Sequence, residues 1–118
     1  RQMCIRDRNG IANTDGNSSS PNRVITGNTF SNLSGGTNSI TVMSFSYIGS
    51  NSNISNNTIS NLSSAGNIVS INVNNTFSAG NPLTISSNSL SNFVSSAGNA
   101  NGIVSSNPGR ISYSLGHL

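Results

Sequence analysis

The chain has very few groups that can act as acids, bases or metal ligands. It contains two acidic residues, Asp7 and Asp15, and one histidine, His117. Glycoside hydrolysis needs a pair of carboxyl groups, and calcium sites need several acidic oxygens. Beyond residue 8 the only carboxylate is Asp15, and the abundant serines have no histidine–acid pair to activate them. The sequence therefore predicts no catalytic residue, no metal site and no cofactor.

Cysteine is almost absent as well, which excludes a disulfide framework or a cysteine metal site in the body of the protein. The single cysteine, Cys4, lies in the octet Arg1–Arg8, which also holds three of the five basic residues. This octet resembles translated adapter sequence at the end of a metagenomic gene fragment. We therefore expect residues 1–8 to be a non-native tail and residues 9–118 to form one repeat segment. The alternative is a genuine basic segment.

Positive charge is concentrated in that octet. Of the formal net charge of +3, the octet supplies three Arg minus Asp7, or +2. Arg23 and Arg110 minus Asp15 supply the remaining +1. Nucleic-acid binding usually needs a basic patch interleaved with aromatic residues, and aromatic residues make up only 5% of the chain. We therefore expect no nucleic-acid partner.

Long hydrophobic runs are missing too. No apolar stretch approaches the roughly 20 residues of a transmembrane helix, so no membrane span is predicted. A low hydrophobic content, here 32%, together with much Ser, Asn and Gly, can also indicate disorder. Against disorder, the net charge is small and the apolar residues recur in register.

That recurrence is a nine-residue motif that occurs three times. The middle copy is Ile54–Leu62, the earlier one is Ile25–Leu33, and the later one is Ile85–Phe93. The copies start 29 and then 31 residues apart. A period of this size is typical of solenoids, propellers and other repeat arrays.

Apolar residues occupy the first, sixth and ninth positions of each copy. This spacing matches neither strand alternation nor a helical stripe, but it fits short strands separated by corners. A unit this short cannot bury its apolar side alone, so stacking must create the core. The predicted core columns are Ile25, Ile54 and Ile85; Phe30, Ile59 and Leu90; and Leu33, Leu62 and Phe93.

Asparagine occupies the fourth and eighth positions of every copy. Asn tolerates left-handed backbone angles better than other non-glycine residues, as a corner demands. Stacked asparagines can also hydrogen-bond between neighbouring coils. We therefore predict corners and ladders at both positions, and we expect Ser55, at the second position of the middle copy, to face solvent. The predicted ladder residues are Asn28, Asn57 and Asn88, and Asn32, Asn61 and Asn92.

Each motif is followed by a Gly/Ser/Asn turn and a second run of strand-like sequence. Such alternations of β-branched or aromatic residues between turn residues are typical of strands. The runs are Met43, Phe45 and Tyr47 alternating with serines, Val69, Ile71 and Val73 alternating with Ser70 and Asn72, and the matching segments Gly10–Ala12 and Gly102–Val104.

From Asn9 to about Leu115 the chain resembles right-handed parallel β-helix repeat proteins of the Asn/Ser/Gly-rich kind found in secreted or surface proteins of bacteria. The resemblance implies an all-β fold, a right-handed parallel β-helix (β-solenoid) of about three to four coils of roughly 30 residues. It also implies an extracellular location, secreted or on the cell surface. We expect the segment to be truncated at both ends, with neighbouring coils of the same longer chain as its partners.

Two functions remain open on these grounds. The first is a non-catalytic structural or adhesive segment whose Ser/Asn/Thr faces contact water or, weakly, carbohydrate. The alternative is part of a β-helical polysaccharide lyase or hydrolase whose catalytic coils lie outside this segment. A carboxylate-rich neighbouring coil would favour the enzyme, and further Asn/Ser repeats would favour the structural role.

Overall fold

The protein is built entirely from short β-strands in the part of the chain that its structure, a computed structural model, describes. The described residues are 9–13, 22–45, 51–74, 83–105 and 111–114. The strands are β1 (Asn9–Asn13), β2 (Val24–Thr26), β3 (Thr29–Gly36), β4 (Ile40–Phe45), β5 (Asn53–Ser55), β6 (Thr58–Ser64), β7 (Ile68–Val73), β8 (Leu83–Ser86), β9 (Ser89–Ser95), β10 (Ala100–Ser105) and β11 (Ile111–Ser114).

These strands form three parallel sheets. Sheet 1 has the order β1-β4-β7-β10, sheet 2 the order β2-β5-β8-β11, and sheet 3 the order β3-β6-β9. Each coil visits sheet 2, then sheet 3, then sheet 1, and every strand pairs in parallel with its equivalent one coil away. This arrangement is a parallel β-helix, and it confirms the predicted fold class.

The strand register stacks the three motif copies. Ile54 pairs with Ile25 on one side and Ile85 on the other. In sheet 3 the equivalent sets are Phe30, Ile59 and Leu90, and Leu33, Leu62 and Phe93. The structure thus brings each set of predicted core residues together, in the predicted order.

The core is a continuous column of apolar side chains, and these side chains are least exposed to solvent in the middle coil. Ile54, Ile59 and Ile71 are each 0% exposed. Residues in equivalent places at the ends, such as Ile25 and Ile103, are only half-buried. Full burial of one such side chain contributes roughly 1.5–3 kcal/mol, so the middle coil gains the most from stacking.

The second runs are strands, but they do not alternate simply. In β7, Ser70 and Ile71 are both 0% exposed, whereas Val69 is half-buried. The alternation predicted for this run is therefore wrong at Val69 and Ser70. Two successive residues are buried here, and the Ser70 hydroxyl is satisfied because it donates to the carbonyl oxygen of Gly102. Tyr47, predicted in the earlier run, lies outside the described residues.

One extra residue distinguishes the first coil. The pairing of β3 with β6 shifts register between Ser34 and Gly36, so Gly35 has no partner in β6. Such a bulge displaces everything that follows it by one position. As a result, Ile40 rather than Ser39 pairs with Ile68.

Within the described ranges, no helix has the length and apolar character needed to cross a membrane.

Candidate functional site: asparagine ladders between the coils

The inner ladder runs through the fourth position of each motif. Asn57 is 1% exposed, and its side-chain nitrogen Nδ2 donates to Oδ1 of Asn88 at 2.9 Å and to the carbonyl oxygen of Ile25 at 2.9 Å. Its Oδ1 accepts from the backbone N–H of Asn28 at 3.1 Å and from Nδ2 of Asn28 at 3.0 Å. One amide therefore joins three coils and uses both donors and both acceptor positions, as a buried polar group must.

The pattern repeats one coil further on. Nδ2 of Asn88 donates to the carbonyl oxygen of Ile54 at 2.9 Å. Its Oδ1 accepts from the backbone N–H of Asn57 at 3.0 Å. At the first rung, Nδ2 of Asn28 donates to Oδ1 of Asn57 in the next coil and also, within its own coil, to the carbonyl oxygen of Thr26 at 3.3 Å. The ladder is thus directional, because each Oδ1 takes donors from the preceding coil.

The outer ladder runs through the eighth position and is exposed. Nδ2 of Asn61 donates to Oδ1 of Asn32 at 3.2 Å, and Nδ2 of Asn92 donates to Oδ1 of Asn61 at 2.7 Å. All three residues have left-handed backbone angles, with φ between 56° and 58°. Asn is favoured there because its short polar side chain tolerates this conformation.

At the inner corner, the left-handed residue is not the one predicted. It is the third position, Gly27, Asn56 or Ser87, with φ values of 70°, 55° and 53°. The expectation that the fourth-position asparagines take this conformation is wrong. The residue before each of them makes the turn, and the fourth-position amide is left free to bond between coils.

Ser55 also differs from the expectation, because it is only 5% exposed rather than solvent-facing. It lies in register between Thr26 and Ser86 in sheet 2. Thr26, at the first rung, is exposed. The middle rung is covered from both sides, so position in the stack, rather than residue type, decides the burial of Ser55.

A third ladder, which the sequence analysis missed, follows the turn before sheet 1. The backbone N–H of Asn99 donates to Oδ1 of Asn67 at 2.9 Å, and the backbone N–H of Asn67 donates to the Ser39 hydroxyl at 3.1 Å. In the sequence, Asn38 lies 29 residues before Asn67, which is the spacing between the first two motif copies. The extra residue Gly35 moves Ser39 into that place instead.

Serine hydroxyls stabilise the same turn. The Ser64 hydroxyl donates to the carbonyl oxygen of Asn38, has the carbonyl oxygen of Gly36 at 3.4 Å, and accepts from the backbone N–H of Gly66. One coil on, the Ser95 hydroxyl donates to the carbonyl oxygen of Gly66 at 2.8 Å. These bonds hold neighbouring turns close together.

The close approach at Gly66 leads to a testable prediction. A Cβ atom at Gly66 would lie 2.7 Å from the backbone C of Asn38 and the backbone N of Ser39. We expect Gly66→Ala to lower the free energy of unfolding by about 1–3 kcal/mol, because backbone atoms must move. Urea unfolding followed by circular dichroism measures this.

The matched control is Gly102→Ala, in sheet 1. There a Cβ atom would meet only the side-chain Cδ1 of Leu90, at 3.3 Å, and Ser70 occupies the same register position in the neighbouring coil. Its stability should change by no more than about 0.5 kcal/mol. A cost at Gly102 as large as at Gly66 would contradict the close stacking of the turns.

The surface formed by the described residues is mostly polar. Arg23 is the only charged residue in the described ranges; its backbone N–H donates to the Ser52 hydroxyl at 2.9 Å. An open groove of about 260 Å³ beside sheet 3 is lined mostly by small polar residues, among them Ser34, Ser63 and Ser96, and by Val94. The described residues include no group of three or more His, Cys, Asp or Glu side chains that could hold a metal ion.

Three ionisable residues beyond the octet lie outside the described residues: Asp15, Arg110 and His117. So does the octet Arg1–Arg8.

Comparison with protein families, with curated proteins and with solved structures gives no match to this chain.

Proposed function

We propose that this protein is a non-catalytic β-solenoid segment with a structural or adhesive role in a secreted or cell-surface bacterial protein. The observation that carries the proposal is the Asn57 amide, whose hydrogen-bonding groups are all used to join one coil to the next. A buried polar network of this kind, fully satisfied, rigidifies a structure. Residues committed in this way are suited to maintaining length and stiffness.

The adhesive part of the proposal rests on the outer face of sheet 3. Exposed hydroxyls of Thr29, Ser31, Ser89 and Ser91 lie beside the outer asparagine ladder. Hydroxyl and amide groups can hydrogen-bond to the hydroxyls of neutral sugars. Binding energy at interfaces usually comes from aromatic and arginine anchors, and none of the described phenylalanines is exposed. Affinity for a neutral glycan should therefore be weak, about millimolar, near −4 kcal/mol.

A polysaccharide panel tests the proposal directly. Incubation with pectin-like and other polysaccharides, with and without calcium, should release neither new reducing ends nor unsaturated products. Calorimetry with neutral oligosaccharides should give dissociation constants of about a millimolar or weaker.

The outcome that would contradict the proposal is turnover by the chain itself. The sharpest form is activity that survives deletion of Arg1–Arg8 and is abolished by Asp15→Asn, Arg23→Ala or Arg110→Ala. That result would favour a polysaccharide lyase or hydrolase. Sub-micromolar binding to an anionic glycan would contradict the assignment of glycan contacts to the outer face of sheet 3, because that face carries no charged group among the described residues.

A further inference from the structure

Four acceptor sequences for N-linked glycosylation lie wholly within the described residues. Such a sequence is Asn-x-Ser/Thr, where x is not proline, and it marks an exposed segment of a secreted protein. In a chain this rich in Asn and Ser the sequence arises easily, so the structure must decide which copy can act. The four asparagines are Asn32, Asn53, Asn56 and Asn61.

The surroundings of three of these asparagines oppose modification. Asn61 donates through Nδ2 to Oδ1 of Asn32 and accepts at Oδ1 from Asn92, so its amide is held in the outer ladder. Asn32 is held by the same bond to Asn61. Asn53 is half-buried, and Ser55, the serine of its acceptor sequence, is only 5% exposed. Modification at these positions would require breaking a ladder hydrogen bond or opening sheet 2.

Asn56 differs from the other three because its side chain is exposed and unbonded. It lies at the inner corner with a left-handed φ of 55°, and its backbone N–H donates to the carbonyl oxygen of Ser86 at 3.3 Å. Its side-chain amide forms no hydrogen bond with any other described residue. Thr58, which completes the acceptor sequence, is only half-buried. Both residues that a transferase must contact are therefore accessible from solvent.

The neighbouring coils leave room beside Asn56 for a bulky group. Adjacent coils are about 4.8 Å apart, so a sugar ring on one corner residue overlaps the space beside the corners above and below it. Gly27 and Ser87 hold the same motif position in these two coils. A Cβ atom at Gly27 would meet no other atom within 4 Å, and Ser87 is exposed. Both flanking coils are present, so this opening lies in the middle of the stack.

We propose that Asn56 is a site of N-linked glycosylation. In the reaction, Nδ2 of Asn56 bonds to the anomeric carbon of a sugar that is activated as a diphosphate ester. The bond between that carbon and the diphosphate oxygen breaks, the diphosphate leaves with the bonding electron pair, and Nδ2 loses one proton to a base of the transferase. The attached sugar is bulky and solubilising, and it lies outside the stack. The inference rests on the proposed secreted or cell-surface location.

The test uses the folded full chain, nucleotide-diphosphate glucose and a soluble N-glycosyltransferase, selected because it modifies both Asn56 and Asn61 in a synthetic peptide that copies Asn53–Ser64. Mass spectrometry after proteolysis gives the occupancy of each site. From the peptide to the folded chain, the ratio of occupancy at Asn56 to that at Asn61 should rise about tenfold, because Asn61 must first break ladder hydrogen bonds. An unmodified Asn56 in the folded chain, or an unchanged ratio, would overturn the proposal.

Two variants test the geometry around Asn56. Thr58→Val removes the hydroxyl and keeps a β-branched side chain, so it should abolish modification of Asn56 and leave Asn61 unchanged. Gly27→Asn introduces an amide that can bond to Asn56 as Asn32 bonds to Asn61, and asparagine tolerates the left-handed φ of 70° there. It should lower occupancy at Asn56 about tenfold.

Persistent modification of Asn56 in Thr58→Val, or unchanged occupancy in Gly27→Asn, would overturn the assignment. Circular dichroism shows that each variant is folded, so loss of modification is not loss of structure. Because the reaction uses the purified chain, failure at Asn56 overturns the glycosylation site alone. The proposed structural role is tested separately by the polysaccharide panel.

Discussion

Replacing Asn57 with leucine is expected to lower the free energy of unfolding by about 3 kcal/mol. The substitution removes four hydrogen bonds between coils, including the one that the backbone N–H of Asn28 donates to Oδ1 of Asn57. An unsatisfied buried polar group costs about 1–3 kcal/mol, and leucine burial returns part of that. Equilibrium unfolding in urea measures the difference.

The matched control for this change is Ser63→Leu. Ser63 lies in the same coil, is exposed, and pairs in register with Val94, an apolar residue that the column already holds. Its replacement by leucine should change stability by no more than about 0.5 kcal/mol. Equal losses in the two variants would show that the inner ladder does not stabilise the stack.

Truncating Ile54 to alanine is expected to cost about 3–4 kcal/mol. Ile54 is 0% exposed and lies between Ile25 and Ile85 in sheet 2. Removal of three carbon atoms from a closed site loses their transfer free energy and leaves a cavity. Thermal and urea unfolding measure the loss.

The comparison variant, Ile25→Ala, makes the same chemical change in the same column. Ile25 is at the first rung and is half-buried, so its truncation should cost about 1–2 kcal/mol. The ratio of the two changes in unfolding free energy measures how much more completely the middle coil is buried than the first. A larger loss at Ile25 than at Ile54 would contradict the described order of the coils.

The columns of the fold can be predicted from the sequence because five motif positions keep their residue type in all three copies: the first, sixth and ninth are apolar, and the fourth and eighth are asparagine. Ile25, Ile54 and Ile85 are identical, and so are the asparagines at the fourth and eighth positions. In a stacked parallel sheet, equivalent residues are direct neighbours, so a repeat in sequence is a column in space. Strand pairing and the inner ladder then follow from the alignment of the copies.

The motif does not predict how deeply each residue of a column is buried. Ser55 is predicted to face solvent and is 5% exposed, while Thr26 at the same motif position is exposed. The two residues have similar chemistry and differ in the number of coils that cover them. The sequence motif is the same at every rung and does not carry that information.

Local backbone geometry accounts for the other differences. A single inserted residue, Gly35, hides the equivalence of Ser39 with Asn67, and hence the third ladder. At the inner corner, the left-handed position accepts Gly27, Asn56 or Ser87. The residue at this position varies, whereas the next residue is always asparagine. The sequence therefore leads to the wrong prediction that the asparagine takes the left-handed conformation. Buried Ser70 is missed because two successive residues face the core.

The most direct test of the stacked coils is a solution NMR measurement of contacts between residues one coil apart. Nuclear Overhauser effects should connect the backbone amide of Asn57 with the side-chain amide of Asn88, 31 residues away, and that of Asn28 with the side-chain amide of Asn57, 29 residues away. Contacts only between sequence neighbours, or the close Hα–Hα pairs of antiparallel strands in place of these, would contradict the parallel β-helix and its inner asparagine ladder.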